Sequence, residues 1–209
     1  MLIVYGTNKN AQNRETFPSW CHSRKLDVVE IFSLEDLNLL DVLQPTLLIS
    51  DRTSFLYPRE FLEKKNYLAV NVHPSLLPFH KGAHPIFWSC LLNAKWGISL
   101  HEIDPGIDSG NLVLQQEVEY SDAMTFQDVY DIYRECTFEM LKSLVEMMLE
   151  GHTPTTKPQP DIALGSHRIR NVEPLISQLR NGWNTTIRDA RVDLETFLIR
   201  AHYPIPTNF

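Results

Sequence analysis

A chain of 209 residues with 43% hydrophobic content can bury one substantial core but is too short for two full enzyme domains. Its 19 Lys and Arg against 26 Asp and Glu give a net charge of -7, which argues against a general nucleic-acid or anionic-membrane binder, because such partners need clustered positive charge. No apolar run approaches the ~20 residues of a membrane span, and no basic leader with an apolar core follows Met1, so a cytoplasmic location is expected.

Short apolar runs at residues 2–5, 26–32, 46–50 and 67–72 read as strands. Between them, Ser33 with Asp36 three residues on predicts a capped helix over 34–43, and Pro58 suits the first turn of a helix ending near 64. This alternation predicts an α/β fold, Rossmann-like, with a mostly parallel twisted sheet flanked by helices. Residues 97–103 and 112–120 alternate like strands, and Pro105, Gly106 and Gly110 favour a tight loop between them. The clearest helix starts at Thr125 with Asp128 as capping partner. Phe126, Val129, Tyr133, Cys136, Met140, Leu144 and Met147 form its apolar stripe, and Gly151 stops it. That stripe is read as core. Residues 153–160 hold three prolines and mark the best boundary, dividing a catalytic domain of 1–152 from a small C-terminal extension of 161–209. The extension carries Trp183 and the arginines 168, 170, 180, 188, 191 and 200, a candidate surface for dimerisation or acceptor binding.

The end of the fourth expected strand carries the chemistry. Asn71 and His73 are two residues apart and so share one face, while Pro74 and Pro78 stiffen the exit. Acyl transfer to an amine passes through an oxyanion and releases a proton. An Asn amide donates to the former, and a His can serve either need. Asp108, in the loop between the last two strands, is placed to tune His73 or to accept the proton. Singly, each residue also suits a plain structural part, a strand-end histidine or a turn-forming aspartate. His80 and His84 have the spacing of a metal pair, but Gly82 and Pro85 interrupt any helix that would align them, so no metal is expected. Ser75 lacks a nucleophile elbow. Cys21, Cys90 and Cys136 are odd in number and widely spaced, which reads as free thiols.

The run Asn71-Val72-His73-Pro74-Ser75-Leu76-Leu77-Pro78 resembles the signature of the folate-dependent formyltransferases, and the likeness continues from Gly97 through Gly106-Ile107-Asp108-Ser109-Gly110 to Val113. More loosely it extends from Leu2 to about Gly151. The resemblance implies 10-formyltetrahydrofolate as formyl donor, with Asn71, His73 and Asp108 at the family's catalytic positions. It also places the pterin against the segment holding Ser54, Phe55 and Leu56 and the loop Ile103-Asp104-Pro105-Gly106-Ile107. For Phe55 and Leu56, ordinary core packing is the competing account.

Departures from the family bear on the acceptor. Gly6-Thr7-Asn8-Lys9-Asn10 is not the Gly-Ser-Asn turn of the glycinamide ribonucleotide enzymes, and the near-neutral C-terminal stretch is unlike the large basic domain of the methionyl-tRNA enzymes. Pro78 to Ser89 is similar to sugar N-formyltransferases, as is the ending from Phe197 to Pro206. The resemblance thus implies an amino-sugar acceptor, carried on a nucleotide and destined for surface glycans. Lys81, His84 and Trp88 are candidate substrate contacts, and the C-terminal segment with its arginines is the candidate homodimer surface. Transfer to another small amine such as glycinamide ribonucleotide is the enzymatic alternative. A non-catalytic folate-binding module is the alternative of a different class.

Overall fold

The computed structural model describes residues 1–161 and 167–201, with side chains as far as 195. Six strands form one sheet: β1 (Leu2–Thr7), β2 (Asp27–Ile31), β3 (Leu47–Asp51), β4 (Leu68–His73), β5 (Trp96–Glu102) and β6 (Leu112–Val118), in the order β2-β1-β3-β4-β5-β6. The first four are parallel, and β5 and β6 add antiparallel to the β4 edge. Strands β1, β3 and β4 are nearly continuous apolar runs because helices cover both of their faces. Alternate residues sort to two cores: Ile3 and Tyr5 face one, Val4 and Leu48 the other.

The larger core gathers α1 (Thr16–Ser23), α4 (Pro85–Leu91) and α5 (Phe126–Leu149) on one side of the sheet. The smaller packs α2 (Asn38–Leu43) and α3 (Arg59–Leu62) against the other. Helix α5 begins as predicted. The Thr125 hydroxyl accepts from Asp128 N at 3.1 Å, and the Asp128 carboxylate accepts from Thr125 N at 2.8 Å. Phe126, Val129, Tyr133, Leu141 and Leu144 are all at most 2% exposed, which places the stripe in the core.

Several local expectations change. The segment from 34 opens with a short 3₁₀ turn, Glu35–Leu37, before α2, and Ser33 does not cap it. Instead the Asp36 carboxylate reaches back to accept from Phe32 N and Ser33 N. Helix α1 stands where no helix was expected. It has no side-chain cap, so its start leaves no mark in the sequence.

The boundary expected at 153–160 is not a break in packing. Lys157 exchanges both backbone hydrogen bonds with Leu112 on β6, and His167 pairs with the backbone around Gly82. The helices α6 (Ile169–Ile176) and α7 (Ile187–Ala201) insert Val172, Leu175, Ile187, Ala190 and Leu194 into the larger core, all at most 2% exposed. Trp183, expected on a dimer surface, packs on His84, Phe126 and Tyr130 of its own chain. Two of the arginines are engaged within the chain: Arg180 pairs with Asp193 at the surface, and Arg191 donates to the Cys90 carbonyl and Asp122. The side chain of Arg200 and the ending from 202 lie outside the described residues.

Candidate active site

Strand parity and sheet register build the site. On β4, Asn71 and His73 point to one face, and the antiparallel ladder sets His101 of β5 directly opposite Asn71 and Ser99 opposite His73. Asn71 Nδ2 lies 3.1 Å from His101 Nε2. The other ring nitrogen of His101 is 2.8 Å from the Glu102 carbonyl, which only accepts, so Nδ1 carries the proton and Nε2 receives one amide hydrogen of Asn71. Of the two Asn71 amide hydrogens, one is thereby committed.

The exit from β4 is pinned at each step. Ser75 Oγ donates to the Phe79 carbonyl at 2.6 Å, Trp96 Nε1 to the Pro74 carbonyl at 2.9 Å, and Leu77 N to Ser99 Oγ at 3.1 Å. Ser75 is fully buried and so engaged, which removes it as a nucleophile. The loop then returns to the site. The His80 carbonyl accepts from His73 Nε2 at 3.0 Å, which turns His73 Nδ1 toward Asp108.

Asp108 sits in the β5–β6 loop with φ at +48°, in the left-handed region. Its Oδ2 is 3.4 Å from His73 Nδ1 and its Oδ1 is 3.5 Å from His101 Nε2, contacts too long for strong hydrogen bonds. The one short bond comes from Gly82 N, at 2.7 Å. Gly110 closes the loop because a Cβ there would lie 1.9 Å from the Glu102 carbonyl oxygen. Burial opposes ionisation of Asp108, yet His101, His73 and the Gly82 amide together hold its carboxyl down to about 2. Burial pushes the His73 imidazole below its ordinary value, and Asp108 only partly offsets this. The pair is therefore a carboxylate beside a neutral, buried imidazole whose open nitrogen faces it. A proton arriving between them turns the contact into an ion pair.

Two contributors were not singled out from the sequence. His101 was legible only as part of a strand, since its partnership with Asn71 depends on cross-strand register. Gln159, in the proline-rich stretch, donates Nε2 to the carbonyls of both Asp108 and Gly110 at 2.8 Å and so holds the turn from outside.

The residues expected around the folate fall into two groups. Ile103, Asp104 and Pro105 line a cavity of about 330 Å³ together with Lys65 and Asn111, but Ser54, Phe55 and Leu56 do not, nor do the three catalytic candidates. The Asp104 carboxylate shapes the loop by accepting from Gly106 N and Ser109 Oγ. Phe55 packs on Tyr57, whereas Leu56 and Ile107 are 76% and 51% exposed. Among the expected acceptor contacts, Lys81 is half-buried near His73, whose pKa it depresses. His84 stacks on Trp183, and Trp88 is buried with one face covered by His167. No cluster of three metal-ligating side chains occurs among the described residues. Burial pushes the Cys21 and Cys90 thiols up to about 12, so neither serves as a nucleophile.

A family model described as formyl transferase matches residues 4–145. Methionyl-tRNA formyltransferase of Acetivibrio thermocellus is 30% identical over 178 residues, covering 84% of this chain and 53% of that protein. The chain spans about half the length of the curated relatives it matches. Among solved structures, the formyltransferase PseJ from Anoxybacillus kamchatkensis, in complex with UDP-4,6-dideoxy-4-formamido-L-AltNAc and tetrahydrofolate, shares the fold. Its TM-score is 0.79 at 23% identity, over 91% of this chain and 97% of that one. Methionyl-tRNA formyltransferase from Clostridium thermocellum gives 0.66 at 20% identity, over 82% and 74%.

Proposed function

Because the chain belongs to the formyl transferase family, we propose that it moves a formyl group from 10-formyltetrahydrofolate to the amine of a nucleotide-linked amino sugar. The observation that carries this reading is the cluster of Asn71, His101, His73 and Asp108: Asn71 donates to His101, and His73 and His101 stand 3.4 and 3.5 Å from the Asp108 carboxylate. An attacking amine converts the formyl oxygen to an oxyanion and becomes cationic. The second amide hydrogen of Asn71 is available to that oxygen, in a site whose walls are largely buried. The Asp108–His73 pair takes the amine's proton, since a carboxylate beside a neutral imidazole is poised to accept one. As the bond from carbon to the folate nitrogen breaks, that proton is returned to the leaving nitrogen. Formyl transfer is then complete with no net change at the protein.

On the donor side, exposed Leu56 and Ile107 offer apolar surface for a pterin, beside Ser54, Phe55 and the loop of Ile103, Asp104, Pro105 and Gly106. On the acceptor side Lys81 is the contact for an anionic group, while His84 and Trp88 form the wall behind it. An amino-sugar acceptor draws support from the higher fold similarity to PseJ and from the net charge of -7, which is unfavourable toward a polyanion. The sequence relatives favour methionyl-tRNA as a second reading. The test is absorbance-monitored release of tetrahydrofolate with a panel of amino-sugar nucleotides and with methionyl-tRNA. Release with a sugar nucleotide is expected. Release with methionyl-tRNA alone overturns the acceptor, and release with no amine overturns the enzyme.

A further inference from the structure

The loop of residues 78–84 supplies two backbone groups to the site: the His80 carbonyl, which receives the His73 Nε2 proton, and the Gly82 amide, which donates to Asp108. That loop is held from outside by His167. His167 N donates to the Lys81 carbonyl at 2.8 Å, and Ala83 N donates to the His167 carbonyl at 3.0 Å. The two strands of chain approach so closely that a Cβ on Gly82, whose φ is +86°, would lie 2.3 Å from His167 O. The side chain adds a second hold. His167 Nε2 is 3.2 Å from His80 Nδ1, and its ring lies between His80, at 5.5 Å and 18°, and Trp88, at 4.4 Å and 15°. Burial depresses both imidazoles to about 4, so near neutrality the ring-to-ring bond joins two uncharged groups, one nitrogen donating and the other accepting.

We propose that His167 is a positioning residue for the reaction: through His80 it fixes the loop whose carbonyl sets the His73 tautomer and whose amide orients Asp108. Its catalytic consequence rests on the formyl-transfer reading above, but its effect on His73 does not. His167, just before α6, is on this account part of the positioning apparatus of the site.

Two substitutions separate the ring bond from mere packing. His167→Phe keeps a flat ring on Trp88 and both backbone bonds but has no nitrogen for His80. His167→Gln keeps a side-chain amide able to reach that nitrogen. Nitrogen-15 NMR of the imidazoles near pH 7.5 reads the His73 tautomer directly, without any acceptor. Wild type is expected to show His73 protonated at Nε2 alone, His167→Phe an averaged signal from both tautomers, and His167→Gln the wild-type pattern. With 10-formyltetrahydrofolate and UDP-4-amino-4,6-dideoxy-L-AltNAc, kcat of His167→Phe should fall by about tenfold or more while KM for the folate stays within about twofold. His167→Gln should recover kcat to within about threefold of wild type. An unchanged His73 tautomer in His167→Phe overturns the proposal, as does equal loss of kcat in the two variants. If wild type transfers nothing to that acceptor, the NMR result alone decides. If His167→Phe does not fold, His80→Phe breaks the same bond from the other side and must give the same averaged His73 signal.

Discussion

His101 shows how a residue without an evident motif enters the site. It accepts one Asn71 amide hydrogen, thereby aiming the other, and it stands 3.5 Å from Asp108. It also depresses the His73 pKa. His101→Phe keeps the ring volume and removes both nitrogens. Turnover should then fall by roughly tenfold to a hundredfold, because Asn71, the proposed oxyanion donor, loses its orientation. The His73 pKa should rise, since a depressing neighbour is gone, and the acid limb of the kcat/KM profile should move to higher pH. An unshifted acid limb argues against His73 as the titrating group. At this scale the sequence was readable where chemistry is local: the two-residue spacing of Asn71 and His73 put both on one face, as found. His101 was not readable in the same way, because only the β4–β5 register brings it across from Asn71.

The β5–β6 hairpin and the helices show what periodicity reveals and what it hides. Alternation identified both strands and Pro105, Gly106 and Gly110 their loop, but the demand on Gly110 comes from a backbone contact that no pattern encodes. Gly110→Ala should cost roughly 3 kcal/mol in urea unfolding and abolish turnover, because the loop must shift and Asp108 shifts with it. Stability within 0.5 kcal/mol of wild type, on the order of an inert surface change, would remove this constraint. The stretch 153–160 hides its contacts for a related reason: prolines and missing periodicity signal a loop, and its packing lies in paired bonds from Lys157 and Gln159 to a distant hairpin. Helix α7 is tied down by Arg191, whose guanidinium reaches the Cys90 carbonyl at 3.1 and 2.5 Å near the end of α4 and Asp122 at 2.8 Å. Arg191→Ala should lower unfolding stability by about 2 kcal/mol, since its charge-assisted bonds are lost. A loss confined to about 0.3 kcal/mol would mean that the helix is held by its apolar face alone.

Across the whole molecule, buried histidines set the response to acid. His73, His80, His84 and His167 are all held below the ordinary 6.5, in each case first by burial. The unfolded chain therefore binds more protons than the folded one below about 6.5, so stability falls as pH drops from there, toward about 4 for His80 and His167. Asp108 acts in the same direction further down: its contribution is present above the ordinary 3.8 and is lost as pH falls to about 2. Thermal midpoints should decline steadily between pH 7 and pH 4, and the double variant His80→Phe with His167→Phe should flatten the slope. A midpoint constant over that interval in wild type would contradict these histidine environments.

The hold that His167 and Gln159 exert on the site also sets the order in which the site can form. Gln159 reaches back 51 and 49 residues, and the bond of His167 to His80 spans 87. Chain emerges from the ribosome in the other direction, so all six strands are made before either clasp exists. Closing such long loops is entropically slow and comes after local structure. The sheet can thus assemble early, whereas the bonds that hold the proposed catalytic corner are complete only when synthesis has passed residue 167.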